Sequence, residues 1–190
     1  MASVDVTDET FYTDVVERSH EVPVVVDFWA DWCGPCKALD PVLKQEVEAR
    51  SGQVELAKLD VDANPNIANH YGVSGIPAVK GFRNGQVVSE FVGVRSAQGV
   101  ASFLDELTGP SAAERLLDEL REAGDEPELV AALEAGDYER ALRQLLDEVE
   151  AADDERRGRI RELMVAIFDE LGQDHPLATE YRRKLAAALY

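Results

Sequence analysis

The sequence predicts an α/β domain, a central mixed sheet flanked by helices, followed by an all-α domain. Three observations carry this. Val22-Pro23-Val24-Val25-Val26 is a continuous β-branched run, as expected of a strand buried on both sheet faces, and it leads through Cys33-Gly34-Pro35-Cys36 into Leu39, Val42, Leu43 and Val47 at helical spacing. Strand-like and helix-like stretches then alternate as far as Leu107. Thr108-Gly109-Pro110-Ser111 reads as a helix stop, a breaker and a new cap, and beyond it every periodic stretch is helical. The 190 residues therefore divide into an α/β domain over 1–109 and a helical domain over 110–190.

Taken in order, the first domain reads β-α-β-α-β-α-β-β-α. Val4 and Val6 begin a short strand, and Thr7-Asp8-Glu9-Thr10 has the residue types of a helix start. After the central strand comes the helix that follows the cysteines, in which Pro41 is expected to impose a kink. Val54 to Val61 is the next strand, and Asn64-Pro65 opens a short helix through Tyr71. Ala78 to Arg83 and Val87 to Val92 form a hairpin around Asn84-Gly85, the strongest short-range hairpin signal in the chain. Ser96 to Leu107 closes the domain, with Val100, Phe103, Leu104 and Leu107 on one face.

The only two cysteines and both tryptophans lie within Phe28 to Lys37, where strand gives way to helix. The first cysteine of a Cys-x-x-Cys at a helix start meets unpaired backbone N–H groups and the positive end of the helix dipole, which favour the thiolate. The second, one turn on, lies on the same face and can resolve a mixed disulfide. Pro35 is tolerated because the first turn needs no donor from it. A zinc site would need about four nitrogen or sulfur ligands, but no second cysteine pair exists and His20, His70 and His175 are scattered. A structural bridge across two residues closes too short a loop to stabilise much. Redox chemistry fits the pair best.

These residues resemble thioredoxin, from about Val4 to Leu107. The resemblance rests on Val26-Asp27-Phe28-Trp29-Ala30-Asp31-Trp32-Cys33-Gly34-Pro35-Cys36-Lys37, on Lys58-Leu59-Asp60-Val61-Asp62, and on Tyr71-Gly72-Val73-Ser74-Gly75-Ile76-Pro77. Phe82-Arg83-Asn84-Gly85 and Phe91-Val92-Gly93 follow at the family's spacing. It implies a thioredoxin fold and the activity of a protein disulfide reductase, with Gly-Pro between the cysteines as in the reducing members. By position, Cys33 is the attacking thiol and Cys36 the resolving one. Asp27, in an apolar segment two residues before the strand ends, is then a desolvated carboxylate with a raised pKa that accepts a proton from Cys36; the alternative is a solvated acid at a strand end. Lys58 matches the family's partner for that acid, and Pro77 its cis-proline. Substrate would lie on Trp32, Gly34, Pro35, Ile76, Pro77 and Gly93. No cofactor or metal beyond the Cys33–Cys36 disulfide is implied, and Cys33 is expected to be the more exposed and more acidic thiol.

The second half divides into about five helical pieces, beginning near Ser111, Glu126, Asp137, Asp154 and His175. Leu129 to Leu142 resembles a tetratricopeptide unit whose second helix starts at Asp137 and packs through Ala141 and Leu145. One unit is below the three or so repeats needed to stand alone, so its apolar side must be covered by Leu163 to Leu171 or by the first domain. The tail from Phe168 to Leu185 resembles the end of the bacterial thioredoxin-plus-tetratricopeptide proteins called chaperedoxins. The helical half is shorter than in their longer members, so a full concave peptide groove is not expected. An antiparallel array is, capped by Leu177 to Leu189 and leaving one modest apolar groove, with Tyr138 and Phe168 as candidates to line it; the alternative is that every apolar stripe is internal core.

Composition bounds the partners. The net charge of −19 opposes binding to nucleic acid or an anionic membrane, and it is spread evenly, 17 acids against 8 bases through Gly109 and 21 against 11 beyond. No apolar run is long enough to cross a bilayer and the N-terminus lacks a signal peptide, so a cytoplasmic location is expected, which suits a dithiol motif with no other cysteine. The readings that follow are a thioredoxin-like protein-disulfide reductase, recharged by a thioredoxin reductase, whose helical domain binds protein; a redox-active co-chaperone that holds unfolding clients and protects their cysteines; and, third, a docking module with relic cysteines. Complete retention of the motif, Asp27, Lys58 and Ile76-Pro77 speaks against the third.

Overall fold

Strand β2 (Val24–Trp29) forms the middle of the first half of the chain, as its β-branched run demands. In the computed structural model, which describes residues 3–124, 126–172 and 175–189, Val24 to Phe28 are all sealed from solvent. The chain divides into two compact units, Met1–Gly109 and Pro110–Tyr190. In the first, β1 (Val4–Asp5) pairs parallel with β3 (Glu55–Asp60), and β3 parallel with β2. On the other side β2 pairs antiparallel with β4 (Ala78–Arg83), and β4 antiparallel with β5 (Gln86–Val92). The result is a five-stranded mixed sheet of order β1-β3-β2-β4-β5.

Strand alternation sorts β2 onto two faces. Val25 packs with Leu39 and Leu43 of α1 (Gly34–Ala49) and with Phe103, Leu104 and Leu107 of α3 (Ala97–Thr108). Val24, Val26 and Phe28 pack on the opposite face with Phe11, Val15, Leu59 and Phe82, against which Ile67 of α2 (Pro65–His70) also rests. Asp27 shares the face of Val25, so the alternation that builds the core turns this carboxylate toward α1. Arg50, just past α1, ties that helix to α3 by donating to the Ala101 carbonyl (2.8 Å) and to Asp105 (2.5 Å).

Two local features refine the sequence reading. The hairpin turn has φ of 52° at Asn84 and 78° at Gly85, the paired left-handed conformation that makes Asn-Gly the preferred two-residue connection. The segment read as a helix start at Thr7 is one: the Phe11 N–H donates to the Thr7 carbonyl at 2.9 Å and the Asp14 N–H to the Thr10 carbonyl at 2.9 Å. The backbone N–H groups of Thr7 and Thr10 donate to each other's hydroxyls, and the Asp8 carboxylate accepts from Asn66 and Ile67 at the start of α2. The reciprocal Thr7–Thr10 bonds are of the capping-box kind, and Asp8 ties this helix start to that of α2. Helical backbone follows as a π-helical stretch, Tyr12–Glu17, and a 3-10 turn, Arg18–His20.

The second unit contains five described helices, α4 (Ala112–Ala123), α5 (Pro127–Glu134), α6 (Tyr138–Val149), α7 (Asp154–Leu171) and α8 (Pro176–Leu189). Three of these starts carry side-chain caps, a full capping box at Ser111 and Glu114 and single caps by Asp137 and Asp153, whereas α5 begins at Glu126 without one. Leu129 of α5 and Ala141, Leu142 and Leu145 of α6 bury against Ile160, Leu163, Met164 and Ile167 of α7, and Tyr181 and Leu185 of α8 complete the core. Helix α7 thus covers the apolar side of the tetratricopeptide-like pair. Arg156 on α7 pairs with both Glu126 and Glu148, pinning the start of α5 to the end of α6. Phe168 is buried and Tyr138 half-buried, while Val165, 44 % accessible, is the apolar residue that reaches the surface.

Leu145 has no accessible surface. Leu145→Ala should cost about 2–5 kcal/mol through lost burial and the cavity it leaves, read as faster amide hydrogen exchange along α6 and a lower urea midpoint.

Candidate active site

The site forms where β2 stops and α1 starts. Ala30 leaves the sheet, the Cys33 N–H returns a hydrogen bond to the Ala30 carbonyl (3.0 Å), and Cys33 becomes the N-cap of α1 with extended backbone. Its sulfur accepts from the Cys36 backbone N–H at 3.1 Å, the capping bond that Ser or Asp oxygens make elsewhere in this chain. Cys33 and Cys36 are joined as a disulfide. The two cysteines are 3 % and 2 % accessible, so in this oxidised state the expected difference in exposure between them is not present: Trp29, Ala30, Val61 and Ile76 enclose both.

Around this buried bond lies an apolar rim. Trp32, 70 % accessible, is held by its indole N–H donating to Asp62 Oδ2 at 2.7 Å. The Ile76–Pro77 peptide is cis, and the Pro77 carbonyl accepts from the Gly93 N–H at 2.8 Å. That bond brings the exposed Val92 and Val94 beside Pro77. Gly93 has φ of +89°, a conformation that L side chains rarely adopt, and a side chain at Gly34 would meet nothing within 4 Å. Of the residues expected to line the site, Ile76 packs on the two cysteines, Trp32, Gly34 and Pro35 adjoin them in the chain, and Gly93 is hydrogen-bonded to Pro77, next to Ile76.

On the α1 face of the sheet, two residues along β2 from Val25, is Asp27. It is 1 % accessible, which decides against a solvated strand-end acid, and its Oδ1 is buried without a hydrogen-bond partner. Burial pushes its carboxyl up to about 7, against the attraction of Lys58 and with help from Asp40. Lys58 lies directly opposite Asp27 in the β2–β3 register. Its ammonium, however, donates to Asp40 Oδ1 and sits 4.7 Å from the centre of the Trp29 ring. The other oxygen of Asp40 accepts from Lys44 Nζ at 2.8 Å. Sequence reading placed Asp27 and Lys58 here but missed Asp40, Lys44 and the Asp62 brace on Trp32. A signal existed for two of these, since Cys36, Asp40 and Lys44 follow one another at i, i+4 spacing along one stripe of α1.

A dithiol–disulfide pair at a helix N-terminus under an apolar rim, with a buried carboxyl on the sheet face that the helix covers, defines a thiol-disulfide oxidoreductase. The sequence comparisons agree, and the chain belongs to the thioredoxin family. The thioredoxin family model matches residues 2–106, and a tetratricopeptide repeat model matches residues 129–190. Thioredoxin of Mycobacterium tuberculosis is 47 % identical over 107 residues, covering 56 % of this chain and 88 % of that protein. Thioredoxin of Chlorobaculum thiosulfatiphilum is 41 % identical over 105 residues, 55 % of this chain and 95 % of that one. The bifunctional thioredoxin reductase/thioredoxin of Mycobacterium leprae is 44 % identical over 106 residues, 56 % of this chain and 22 % of its own length. The architecture is thus a thioredoxin domain followed by a tetratricopeptide region. No described helix is long and apolar enough to cross a membrane.

The folded-state pKa of Asp27 lies above the ordinary value of 3.8, so the folded protein holds this proton more tightly between about 4 and about 7. The stability of the neutral buried carboxyl is present below that window and is lost as pH rises through it, by an amount on the order of 4 kcal/mol. Asp27→Asn removes the titration. The variant-minus-wild-type unfolding free energy of the oxidised protein should therefore rise between pH 4 and pH 8, measured by urea denaturation across that range.

Proposed function

We propose that this chain is a protein disulfide reductase working through Cys33 and Cys36, with its helical unit as a protein-interaction module. The observation that carries this is the Cys33 sulfur capping the N-terminus of α1, with Asp27 buried on the sheet face that α1 covers. On reduction, the Cys33 thiolate keeps the N-terminal N–H groups and dipole that now surround its sulfur. It attacks one sulfur of a substrate disulfide; a Cys33–substrate bond forms, the substrate S–S bond breaks, and the released substrate thiolate takes a proton from water. Asp27 then accepts the Cys36 proton. The Cys36 thiolate attacks Cys33, expelling the second substrate thiolate and leaving the Cys33–Cys36 disulfide.

Two electrons have passed from the cysteine pair to substrate, and a dithiol or flavin-linked reductase of the thioredoxin reductase type returns them. The sulfur pair carries those electrons by itself, so no further cofactor enters. Trp32, Gly34, Pro35, Ile76, Pro77 and Gly93 form the apolar platform on which a substrate peptide lies, with the Ile76 backbone free to pair with it. Lys58 acts on the charge of Asp27. The net charge of −19 argues for protein partners rather than nucleic acid or membrane, and a lone dithiol motif suits a reducing cytoplasm.

A second reading, the redox-active co-chaperone of the chaperedoxin type, is favoured by one feature of the helical unit. Between α7 and α8 an open groove is lined by Val165, Phe168, Leu185 and Leu189 together with Arg161, Asp169 and Arg182, the Arg182 guanidinium lying over the Phe168 ring. Insulin reduction and suppression of client aggregation, measured on one preparation of the full chain and of a chain ending at Gly109, separate the two readings. Unchanged reduction with lost protection supports the co-chaperone; no protection by either form leaves the plain reductase.

Cys33→Ser should abolish insulin reduction, lowering the rate by at least about a thousandfold, whereas Cys36→Ser should accumulate a mixed disulfide with substrate, detected by mass spectrometry. Trapping by Cys33→Ser instead would reverse the two roles.

A further inference from the structure

We propose that Asp40 is a positioning residue of the resolving step: by drawing the Lys58 ammonium onto its own carboxylate, it sets the pH at which Asp27 can take the proton of Cys36. This rests on the reading of Asp27 as that proton acceptor. Three geometric facts support it. The β2–β3 register puts Lys58 directly opposite Asp27, so the shortest ion pair available to a buried carboxylate would be between these two. The hydrogen bond of Lys58 goes to Asp40 Oδ1 instead, and Asp27 Oδ1 is left buried and unpartnered. Asp40 in turn is one helical turn beyond Cys36 on α1, so it sits on the same stripe as the thiol it serves.

The charges facing this pocket are few. From α1 come Asp40 and Lys44, and from β3 Lys58; Asp5 on β1 acts on Lys44. The β4 neighbour of Asp27 is Val79, which brings no charge. Partial burial works against ionisation of Asp40, yet the hydrogen bonds from Lys44 and Lys58 hold its carboxyl below the usual range, so it stays negative when Asp27 titrates. Side-chain exposure falls from 43 % at Lys44 through 24 % at Asp40 to 14 % at Lys58, so the ladder runs from solvent toward the buried acid. Asp40 thus acts on Asp27 twice, by its own like charge and by diverting the cation that would otherwise hold Asp27 ionised.

The test is the titration of Asp27 in the full-length oxidised protein, followed by carboxyl carbon NMR and assigned with Asp27→Asn. It is paired with the pH profile of the resolving step, read by tryptophan fluorescence on release from a mixed disulfide. In Asp40→Asn the inflexion should move down from about 7 toward the ordinary carboxylate range, and Asp40→Ala should reproduce this if the amide itself perturbs packing. Lys44→Ala removes a cation that opposes the rise at Asp27 and leaves Asp40 to Lys58 alone, so it should move the inflexion the other way. A merely structural role for Asp40 predicts no such opposition of sign. An inflexion that vanishes in Asp27→Asn but stays at its wild-type position in Asp40→Asn and Asp40→Ala overturns the proposal. An inflexion that persists in Asp27→Asn overturns the reading of Asp27 itself.

Discussion

The chemistry of this protein depends on one junction, where the fully buried strand β2 ends and α1 begins. A strand covered on both faces cannot shift without moving the whole core, so the residues at its end are held in fixed positions. The chain reverses through Ala30, Asp31 and Trp32, and Cys33 enters α1 as its cap. Because the cap atom is a sulfur, the unpaired N–H groups that every helix start must satisfy are directed at the redox centre. The apolar rim then follows from chain proximity: Trp32 precedes Cys33, and the hydrogen bond between Gly93 and Pro77 brings the end of β5 alongside.

The same junction explains why a carboxyl can sit in the core. A side chain on the α1 face of β2 has helix above it and sheet on either side, with no route to water, so its charged form is disfavoured. Asp27 occupies that position, one alternation step from Val25. Lys58 offsets the effect only in part, because its hydrogen bond goes to a second acid, Asp40, which is more exposed to solvent than Asp27. Two acids and two lysines are thereby arranged so that the outer acid remains ionised and the inner one titrates near neutrality. Environment alone thus separates the behaviour of two carboxyls in one fold.

The helical unit answers a different constraint. The tetratricopeptide match spans α5 to α8, and the apolar side of its first pair, α5 and α6, is buried by the helices that follow. Here α7 supplies that cover with Ile160, Leu163, Met164 and Ile167, and α8 closes over it through Tyr181 and Leu185. The long α7 also explains the Arg156 bridge, since a helix crossing both members of the pair can reach the acids at the start of one and the end of the other. The cost of this compactness is small apolar exposure, concentrated at Val165 on the outer side of α7.

Much of this was legible in the residues themselves. The β-branched run, the Asn-Gly turn and the Ser and Asp caps act over a few residues, so sequence alone determined β2, the β4–β5 hairpin and the starts of the helices after Gly109. The dithiol motif likewise determined the chemistry, because a cysteine's reactivity depends first on its place at a helix start. Other features were decided only by the tertiary structure. The helix start at Thr7 is tied to that of α2 because Asp8 accepts from Ile67, far away in sequence. Cys33 and Cys36 came out equally buried because Ile76 and Val61, from two other segments, close over the disulfide. Lys58 paired with Asp40 rather than with its register neighbour because α1 lies across the sheet at that level. Local propensity acts within a turn or a strand pair, whereas burial and charge pairing depend on which segments meet, and only the folded chain brings them together.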